Sequence, residues 1–421
     1  MMVFITIEKG AYNMAERQFP KLHITEKAER ALRRGHPWVF DTEVTDLHGA
    51  YQNGDLVDVY SRKDRFLGTG FINDHSKIRV RIFSTNANDR FDRAFWERRL
   101  RYAVQYRQTV MGERDFHCCR LIFGEADGFP GLTVDRFEDI LVIQTLSLGI
   151  DQRKNLLFPL LVEILRESGA VISAIYERND VDLREKEGMQ QYKAFYPGEG
   201  LSTELDGHVT ICENGIFYDV DYIHGQKTGF FLDQKYNRAA VAKIASGKTV
   251  LDCFTHTGAF ALNAAAAGAA HVCAVDISQD ALDMAAHNAA RNNLDNLSFQ
   301  KANVFDLLTG MANQKHCNYD FIILDPPAFT KSSATRQQAI RGYKEINLKA
   351  MKLLPRGGYL ATCSCSHFMT DDLFRQMLRD AAADACVSLR QIAARQQAPD
   401  HPILWNVPET DYLKFYIFQV V

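Results

Sequence analysis

The chain has 421 residues, of which 46% are hydrophobic and 24% are charged. At roughly 150 residues per domain this length predicts two to three domains, and the composition excludes disordered, collagen-like and low-complexity chains. The apolar run from Met1 to Ile5 is too short for a signal peptide, and no apolar stretch approaches the roughly 18 residues of a membrane span. We therefore expect a soluble, cytoplasmic protein with no membrane partner.

The nine cysteines are scattered, without a C-x-x-C pair or an accompanying pair of histidines. This spacing disfavours both a disulfide framework and a structural zinc site, and we expect no metal. The net charge of −3 is unevenly distributed, because residues 21–108 hold 17 Lys and Arg against 12 Asp and Glu, a net of +5. The basic part of the chain is therefore N-terminal.

After an N-terminal extension over residues 1–20, residues 21–92 have the pattern of a small β-barrel with one helix. The basic segment KAERALRR has helical spacing and ends at Gly-His-Pro, and the strand-like runs GDLVDVY, RFLGTGFI and SKIRVRIFS follow. Side chains alternate in a strand, so Lys77, Arg79 and Arg81 share one face of the last run. They form either a solvated edge that resists aggregation or a phosphate-binding face.

Residues 93–204 are assigned to a connecting helix and a central α+β domain. The helix is predicted over residues 91–110, where Arg alternates with aromatic residues. Residues 205–421 show regular alternation of strands and helices, which predicts a doubly wound parallel sheet. The last two strand-like runs, ending in DYLKFYIFQVV, predict an antiparallel hairpin at one edge of that sheet.

A cofactor site is expected where the parallel strands end. Asp252 ends the first strand, Gly258 lies in the turn FTHTGAF, and Asp276 ends the second strand, where an acid can accept both hydroxyls of a ribose or merely cap the next helix. A pyrophosphate needs three glycines in this turn, so NAD is disfavoured and S-adenosylmethionine is favoured. Asn303 and Asp306 follow the third strand, in position to contact an adenine amino group.

Several long motifs occur along the chain, namely RRGHPWVF, GTGFIN, RLIFGEADGFPGLTVDRFED, QKTGFFLDQKYNR, LDCFTHTGAF, ILDPPAF and TCSCSHFM. They resemble those of class I S-adenosylmethionine methyltransferases of the RlmI type, which modify C5 of a cytosine in large-subunit (23S) ribosomal RNA. The resemblance covers nearly the whole chain and implies a PUA-like RNA-binding domain, a central α+β domain and a Rossmann-like methyltransferase domain with a mostly parallel seven-stranded sheet. It also implies a ribosomal RNA partner and a monomer or homodimer.

The resemblance further implies which residues surround the cofactor. Position 303 is often Asp in this family, and Asn303 keeps the hydrogen-bond acceptor while losing the charge. The implied pocket residues are Asp252, Phe254, Gly258, Asp276, Asn303 and Asp325, with Thr228 and Phe231 beside them.

Methylation of C5 requires a cysteine thiolate that adds to C6 of the cytosine and an acid that holds N3. Asp325 ends the fourth strand in ILDPPAF, and the following prolines stiffen a turn from which Phe329 can stack on a base. Cys363 and Cys365 end the fifth strand and point to the same side of it, so direction alone does not separate them.

The family's nucleophile lies in a Ser-Cys-Ser setting, which maps onto residues 364–366 and assigns Cys365 as the nucleophile and Cys363 as packing. A free thiol has a pKa near 8.5, so a neighbouring cation should lower the pKa of the nucleophile. Lys227 and Arg238 are the candidates for that role.

Three other functions compete with C5 methylation. Methylation of an exocyclic amine of RNA uses D/N-P-P followed directly by an aromatic residue, whereas Ala328 occupies that place here. A non-catalytic RNA-binding assembly factor would use the basic N-terminal face, but intact Asp276, Asp325 and Cys365 argue against it. An oxidoreductase is compatible with the fold alone and is disfavoured by the missing glycines.

Overall fold

The computed structural model describes residues 18–314, 318–330 and 332–421. Most of the predicted extension over residues 1–20, as well as Cys317, lies outside the described residues. The chain divides into two compact units, one ending at Asp89 and the other running from Arg90 to Val421. The three-domain division predicted from the sequence stays a prediction.

The first unit is a six-stranded sheet with one helix, and it contains the helix and the three strands predicted for this region. The sheet order is β2-β6-β5-β4-β1-β3, in which β1 and β4 are parallel and the other pairs are antiparallel. The sequence analysis missed the three shorter strands β1 to β3. The elements are β1 (Lys21–Ile24), α1 (Glu26–Arg33), β2 (Trp38–Phe40), β3 (Val44–His48), β4 (Leu56–Tyr60), β5 (Phe66–Ile72) and β6 (Ile78–Ser84).

The second unit begins with a long helix and a five-stranded sheet of order β11-β10-β9-β8-β7. The helix starts at Asp92, whose side chain accepts a hydrogen bond from the N–H of Phe95 at 3.0 Å, as N-cap residues do. The elements are α2 (Arg93–Asp115), β7 (Cys118–Phe123), β8 (Leu132–Phe137), β9 (Ile140–Thr145), α3 (Leu148–Asp151), α4 (Lys154–Glu167), β10 (Ala174–Asn179), α5 (Leu183–Lys186) and β11 (Tyr192–Phe195).

A two-stranded hairpin then leads into the predicted seven-stranded sheet. Its elements are β12 (His208–Glu213), β13 (Ile216–Asp221), α6 (Lys235–Ala245), β14 (Thr249–Cys253), α7 (Ala259–Ala266), β15 (His271–Asp276), α8 (Gln279–Arg291), β16 (Leu297–Lys301), α9 (Val304–Gln314), β17 (Phe321–Leu324), α10 (Arg336–Leu353), β18 (Tyr359–Ser364), α11 (Asp371–Asp384), β19 (Leu389–Arg395) and β20 (Lys414–Val420).

The order of this sheet is β16-β15-β14-β17-β18-β20-β19. Strand β20 runs antiparallel to both β18 and β19, and the other neighbouring strands are parallel. The predicted parallel sheet with an antiparallel edge hairpin is confirmed. Strand order reverses between β14 and β17, and in such sheets ligands bind at that reversal, beside the carboxyl ends of the strands.

The core lies on both faces of the seven-stranded sheet. Alternate residues such as Leu251 and Ile322 pack with α10 and α11, whereas Val250 and Ile323 pack with α6 and α7. Burial on both faces explains the nearly continuous apolar sequence of these strands. Among the described residues, no helix combines the length and the apolar character needed to cross a membrane.

Candidate active site

A cavity of about 390 Å³ opens at the carboxyl ends of the parallel strands. Because β14 to β18 all end at this edge, residues far apart in sequence meet there. The predicted residues that line it are Phe231, Phe254, Asp276, Asn303, Asp325, Phe329 and Cys365.

Asp276, the last residue of β15, is held with its carboxylate at the cavity. Its Oδ2 accepts the N–H of His256 at 2.9 Å, and its Oδ1 accepts the N–H of Ser278 at 3.0 Å. Ser278, rather than Asp276, is the N-cap of α8, since its side chain accepts the N–H of Ala281. Each carboxylate oxygen can accept a further hydrogen bond, so Asp276 is available to a ligand hydroxyl.

The turn after β14 is strained where it meets the cavity. Phe254 and His256 have φ angles of 63° and 50°, a region that non-glycine residues rarely adopt. Such conformations cost about 1–3 kcal/mol each and cluster at functional sites. The N–H of Thr255 donates to the carbonyl of Val275 at 2.9 Å, which fixes the turn to the neighbouring strand.

Asp252 and Gly258 are buried and are not among the residues that line this cavity, and their predicted contact with the cofactor stays a prediction. Asp252 is fully buried and accepts the hydroxyl of Thr255 at 2.6 Å, and burial raises the pKa of its carboxyl to about 7. Gly258 has a φ of 82°, and a Cβ there would lie 2.6 Å from Leu262 and 2.8 Å from Ala285. Gly258 therefore allows α7 to pack closely on α8.

Thr228 and Asp306, which were also expected near the ligand, are not among the residues that line the cavity. Thr228 is buried, and its hydroxyl donates to Asp135 of β8 at 2.6 Å, so it fastens its loop to the central sheet. Asp306 lies within α9 and is not among the residues that line the cavity. Asn303 does line it, and its Oδ1 accepts the N–H of Phe305 at 2.9 Å.

Asp325 directly follows β17 and lines the cavity. Its Oδ1 accepts a hydrogen bond from Nε2 of Gln234 at 3.1 Å. Burial raises the pKa of its carboxyl to about 6, while Arg238 and the amide of Gln234 act in the opposite direction. Asp325 can therefore exchange a proton near neutral pH.

The two cysteines of TCSCSH occupy different environments. Cys363 is fully buried in the core, and its thiol donates to the carbonyl of Leu324 at 3.4 Å. Cys365 is half-buried and lines the cavity. Burial and, to a smaller extent, the charge of nearby Asp325 raise the pKa of the Cys365 thiol to about 11.

The cations that favour the Cys365 thiolate are Lys227 and a residue that sequence reasoning missed, Lys414. The ammonium of Lys414 donates to the carbonyls of Ser366 at 2.7 Å and Tyr412 at 2.8 Å. Burial lowers the pKa of Lys414 to about 8. The sequence feature that could have indicated Lys414 is its position at the start of the apolar run KFYIFQV.

Arg238, the other cation predicted to lower the pKa of the nucleophile, forms an ion pair with a different residue. Its guanidinium makes two bonds to buried Glu213, at 2.6 and 2.9 Å, and a third to the carbonyl of Phe231. Its charge is therefore compensated by Glu213, which corrects its assignment as an activator of the thiol.

Asp233 is a cavity residue that sequence reasoning also missed. Its Oδ2 accepts the hydroxyl of Tyr412 at 2.7 Å. Burial opposes ionisation of Asp233, but His401, Lys227 and the Tyr412 hydroxyl together hold the pKa of this carboxyl below its usual value. The cavity thus contains, in addition to Asp276, a carboxyl group whose surroundings favour its ionised form.

The ring of Phe329 borders the cavity and is fixed by two other rings. Its centroid lies 4.5 Å from that of Tyr343 and 5.7 Å from that of Phe305. Part of this ring is thus already packed in the core, and a base would meet the part that borders the cavity.

The predicted row of three cations on β6 is corrected by the structure of the first unit. Arg79 forms ion pairs with Asp41 and Asp74. Arg81 is 7% exposed, with its guanidinium 5.7 Å from the centroid of the Trp38 ring. Lys77 is exposed. Of the three predicted cations, Arg79 is thus paired with acids and Arg81 is buried against an aromatic ring, while Lys77 is exposed.

Two family models match the chain. A PUA-like domain matches residues 22–85, and an S-adenosylmethionine-dependent methyltransferase matches residues 182–418, more than half of the chain. The cofactor of this protein is S-adenosylmethionine, as the sequence predicts.

Curated relatives match over nearly their whole length. Ribosomal RNA large subunit methyltransferase I of Shewanella amazonensis is 42% identical over 394 residues, which cover 93% of this chain and 97% of the relative. The protein of the same name from Aliivibrio fischeri is 40% identical over 403 residues, covering 95% and 99%.

Solved structures share the fold. A protein of Streptococcus mutans assigned as a SAM-dependent methyltransferase superposes with a TM-score of 0.79 at 23% identity, over 95% of this chain and 100% of the other. A methyltransferase complexed with SAH superposes with a TM-score of 0.80 at the same identity and coverage. With the two family models and the curated relatives, these findings show that the chain belongs to the ribosomal RNA large subunit methyltransferase I family.

Proposed function

We propose that this protein transfers the methyl group of S-adenosylmethionine to C5 of a cytosine in large-subunit ribosomal RNA, through a covalent bond between Cys365 and C6. The observation that carries the proposal is the meeting of Cys365 and Asp325 in one cavity, at the ends of adjacent strands β18 and β17. The names of the relatives and the PUA-like domain support the RNA substrate.

The cavity fits the cofactor in size and in chemistry. Its volume lies within the range of about 300–1,000 Å³ that is usual for small-molecule sites. The ionised carboxylate of Asp233 suits a ligand that carries a sulfonium and an ammonium, and Asp276 offers hydrogen-bond acceptors to its hydroxyls. Ile277 is 67% exposed and offers an apolar surface beside Asp276, which suits the face of an adenine.

In this proposal Asp276 accepts the ribose hydroxyls and Asn303 accepts the adenine amino group. The Asn303 oxygen already accepts one backbone N–H, and a carbonyl oxygen has a second lone pair for the ligand. When bound, S-adenosylmethionine supplies an electrophilic methyl group at its sulfonium.

The reaction needs a thiolate because C5 of cytosine is a weak carbon nucleophile. The sulfur of Cys365 adds to C6, and the electron pair of the C5–C6 double bond moves to C5, which takes the methyl group. A base then removes the C5 hydrogen, and the returning electron pair expels the sulfur. Asp325 holds N3 throughout.

The charges in the cavity couple these two residues. An ionised Asp325 raises the pKa of the Cys365 thiol. A protonated Asp325 can donate to N3 and no longer opposes the thiolate, and its pKa of about 6 makes that protonation accessible. Lys227 and Lys414 stabilise the thiolate directly. Binding of the base therefore favours the nucleophilic form of Cys365.

The target must leave its stack to reach Cys365, because a base inside a closed helix presents neither C5 nor C6 to a residue within a cavity. The turn after β14 and the ring of Phe329, which packs against Tyr343, form part of the walls of this cavity.

The test is nucleoside analysis of unmodified large-subunit ribosomal RNA after incubation with the full chain and S-adenosylmethionine. We expect 5-methylcytidine as the product, none from Cys365→Ala, and near-normal amounts from Cys363→Ala, the matched control. A cytosine methylated on its exocyclic amine, or normal activity in Cys365→Ala, contradicts the proposal.

A further inference from the structure

A second cavity, of about 660 Å³, adjoins the reaction site within the same compact unit. We call it the Trp405 groove, after the residue that borders it on the loop before β20. The charged or basic residues that line it come from the segment after β18, from α11, from β19, from the loop before β20 and from the start of β20. They are His367, Asp371, Arg375, Arg395, Asp411 and Lys414.

Trp405 is 96% exposed, yet its backbone is firmly held. It occupies a turn closed by the N–H of Val407 and the carbonyl of Leu404 at 2.8 Å. Thr410 anchors the turn from below, since its hydroxyl donates to the Val407 carbonyl at 2.7 Å and accepts the N–H of Leu404 at 2.9 Å. A fixed turn thus presents a large flat ring to solvent, as a stacking platform requires.

The charges beside Trp405 favour an anionic ligand. Arg395 is exposed, and its Nε donates to the neutral amide oxygen of Asn237 at 3.1 Å, so that bond leaves its charge uncompensated. Arg375 is 49% exposed and lies 3.7 Å from Asp371, whose carboxylate also accepts the hydroxyl of Tyr416. The other acid, Asp411, accepts Nε2 of Gln396 at 3.1 Å.

The groove lies close to the reaction site. Lys414 lines the groove, and its charge favours the thiolate of Cys365, which lines the first cavity. The ammonium of Lys414 donates to the carbonyl of Ser366, the residue that follows Cys365, at 2.7 Å. A chain with one base at Cys365 can therefore place a neighbouring nucleotide at the groove.

We propose that the Trp405 groove binds the unpaired nucleotide next to the target cytosine, with the Trp405 ring stacked on its base and Arg375 and Arg395 at its phosphates. This inference rests on the proposed function, because it needs a flipped cytosine at Cys365. An aromatic ring among arginines is the usual way in which proteins bind single-stranded RNA. Stacking tolerates any base, so the groove adds affinity without fixing the sequence.

The test is binding of a fluorescein-labelled, cytosine-containing single-stranded RNA dodecamer to the full chain, measured by anisotropy with S-adenosylhomocysteine present. We expect Trp405→Ala to weaken binding about 5-fold or more, and Trp405→Phe to retain most of the affinity. Phe217→Ala removes an aromatic ring that is 49% exposed on β13 and should leave binding unchanged. Equal affinities of Trp405→Ala and the unaltered chain overturn the proposal, and would leave a protein partner as the occupant of this face.

The arginines are tested by salt. Replacing Arg375 and Arg395 with Gln should reduce the slope of log affinity against log salt by about 0.7 for each phosphate that no longer has an arginine beside it. An unchanged slope overturns their assignment. Failure here is distinguishable from failure of the proposed function, because Trp405→Ala should still make 5-methylcytidine at saturating RNA, whereas Cys365→Ala should bind the dodecamer normally and make none.

Discussion

Two layers at the strand ends of the catalytic sheet differ in what their side chains can do. The cavity layer, Asp276, Asp325 and Cys365, faces the site, whereas the support layer, Asp252, Gly258 and Cys363, is sealed beneath it. Both layers contain carboxyl and thiol groups. Their difference shows that position relative to the cavity, and not residue type, separates groups that can contact ligands from groups that hold the site together.

The largest effect is expected from the support layer, in the pH dependence of stability. The Asp252 carboxyl has a pKa of about 7 in the folded chain against 3.8 as its ordinary value. The folded state thus holds its proton more tightly than the unfolded state, and stability is lost as pH rises from about 4 to 7. Asp252→Asn should be more stable than the unaltered chain by about 2–4 kcal/mol above pH 7.

Urea unfolding at pH 4 and pH 8 measures this difference. The advantage of Asp252→Asn should be much smaller at the lower pH, since the folded state then carries the proton and a large fraction of the unfolded state does too. A constant difference at the two pH values would show that Asp252 is ionised in the folded protein.

Cofactor affinity should depend more on Asp276, in the cavity layer, than on Asp252, in the support layer. Asp276→Ala removes the acceptor of two ribose hydroxyls at the cavity and should weaken S-adenosylmethionine binding by about 10- to 100-fold, since each hydrogen bond is worth about 0.5–1.5 kcal/mol. Asp252→Asn should change it much less. Calorimetry on the full chain measures both, and equal losses would mean that Asp252 also contacts the cofactor.

Gly258, in the support layer, acts through packing, because a side chain at this position would contact α7 and α8. Gly258→Ala forces a Cβ within 3 Å of Leu262 and Ala285, whereas Gly247, with a φ of 69°, has open space at the same position. Both substitutions strain the backbone, but only the first overpacks the core. We expect Gly258→Ala to cost about 1–3 kcal/mol more than Gly247→Ala, measured by urea unfolding, and equal costs would show that α7 and α8 can separate without penalty.

The smallest effect is expected at Lys414. Its charge favours the Cys365 thiolate below about pH 8 and is lost above it. Lys414→Met should slow alkylation of Cys365 by iodoacetamide at pH 7, by up to about 10-fold, and the two rates should converge above pH 9. Site-resolved mass spectrometry measures the rates. Lys414→Arg should react like the unaltered chain at pH 7, because both side chains are charged there. A ratio between Lys414→Met and the unaltered chain that is independent of pH would contradict the assignment.

The sequence could predict the strand ends because parallel strands have apolar runs that stop at a polar residue, as they do before Asp276 and Asp325. It could not predict which of two neighbouring polar groups faces the cavity. That depends on packing between distant segments, such as Thr228 against Asp135. Lys414 was missed because the strand that carries it is remote from Cys365 in sequence and adjacent only in the sheet.

The cations of β6 also show that contacts between segments could not be predicted from the sequence. Alternation correctly placed Arg79 and Arg81 opposite the apolar residues of the strand, but the partners that cover them come from other segments, Asp41, Asp74 and Trp38. Charge counted along the chain therefore overstates charge available to RNA.

A covalent bond between Cys365 and C6 of cytosine can be detected in the intact mass of the full chain after incubation with S-adenosylmethionine and large-subunit RNA containing 5-fluorocytosine. This base lacks the C5 hydrogen whose loss releases the enzyme, so the adduct should persist. We expect a protein–RNA adduct from the unaltered chain and from Cys363→Ala, and none from Cys365→Ala. An adduct that survives in Cys365→Ala, or that is lost only in Cys363→Ala, would contradict the assignment of the nucleophile.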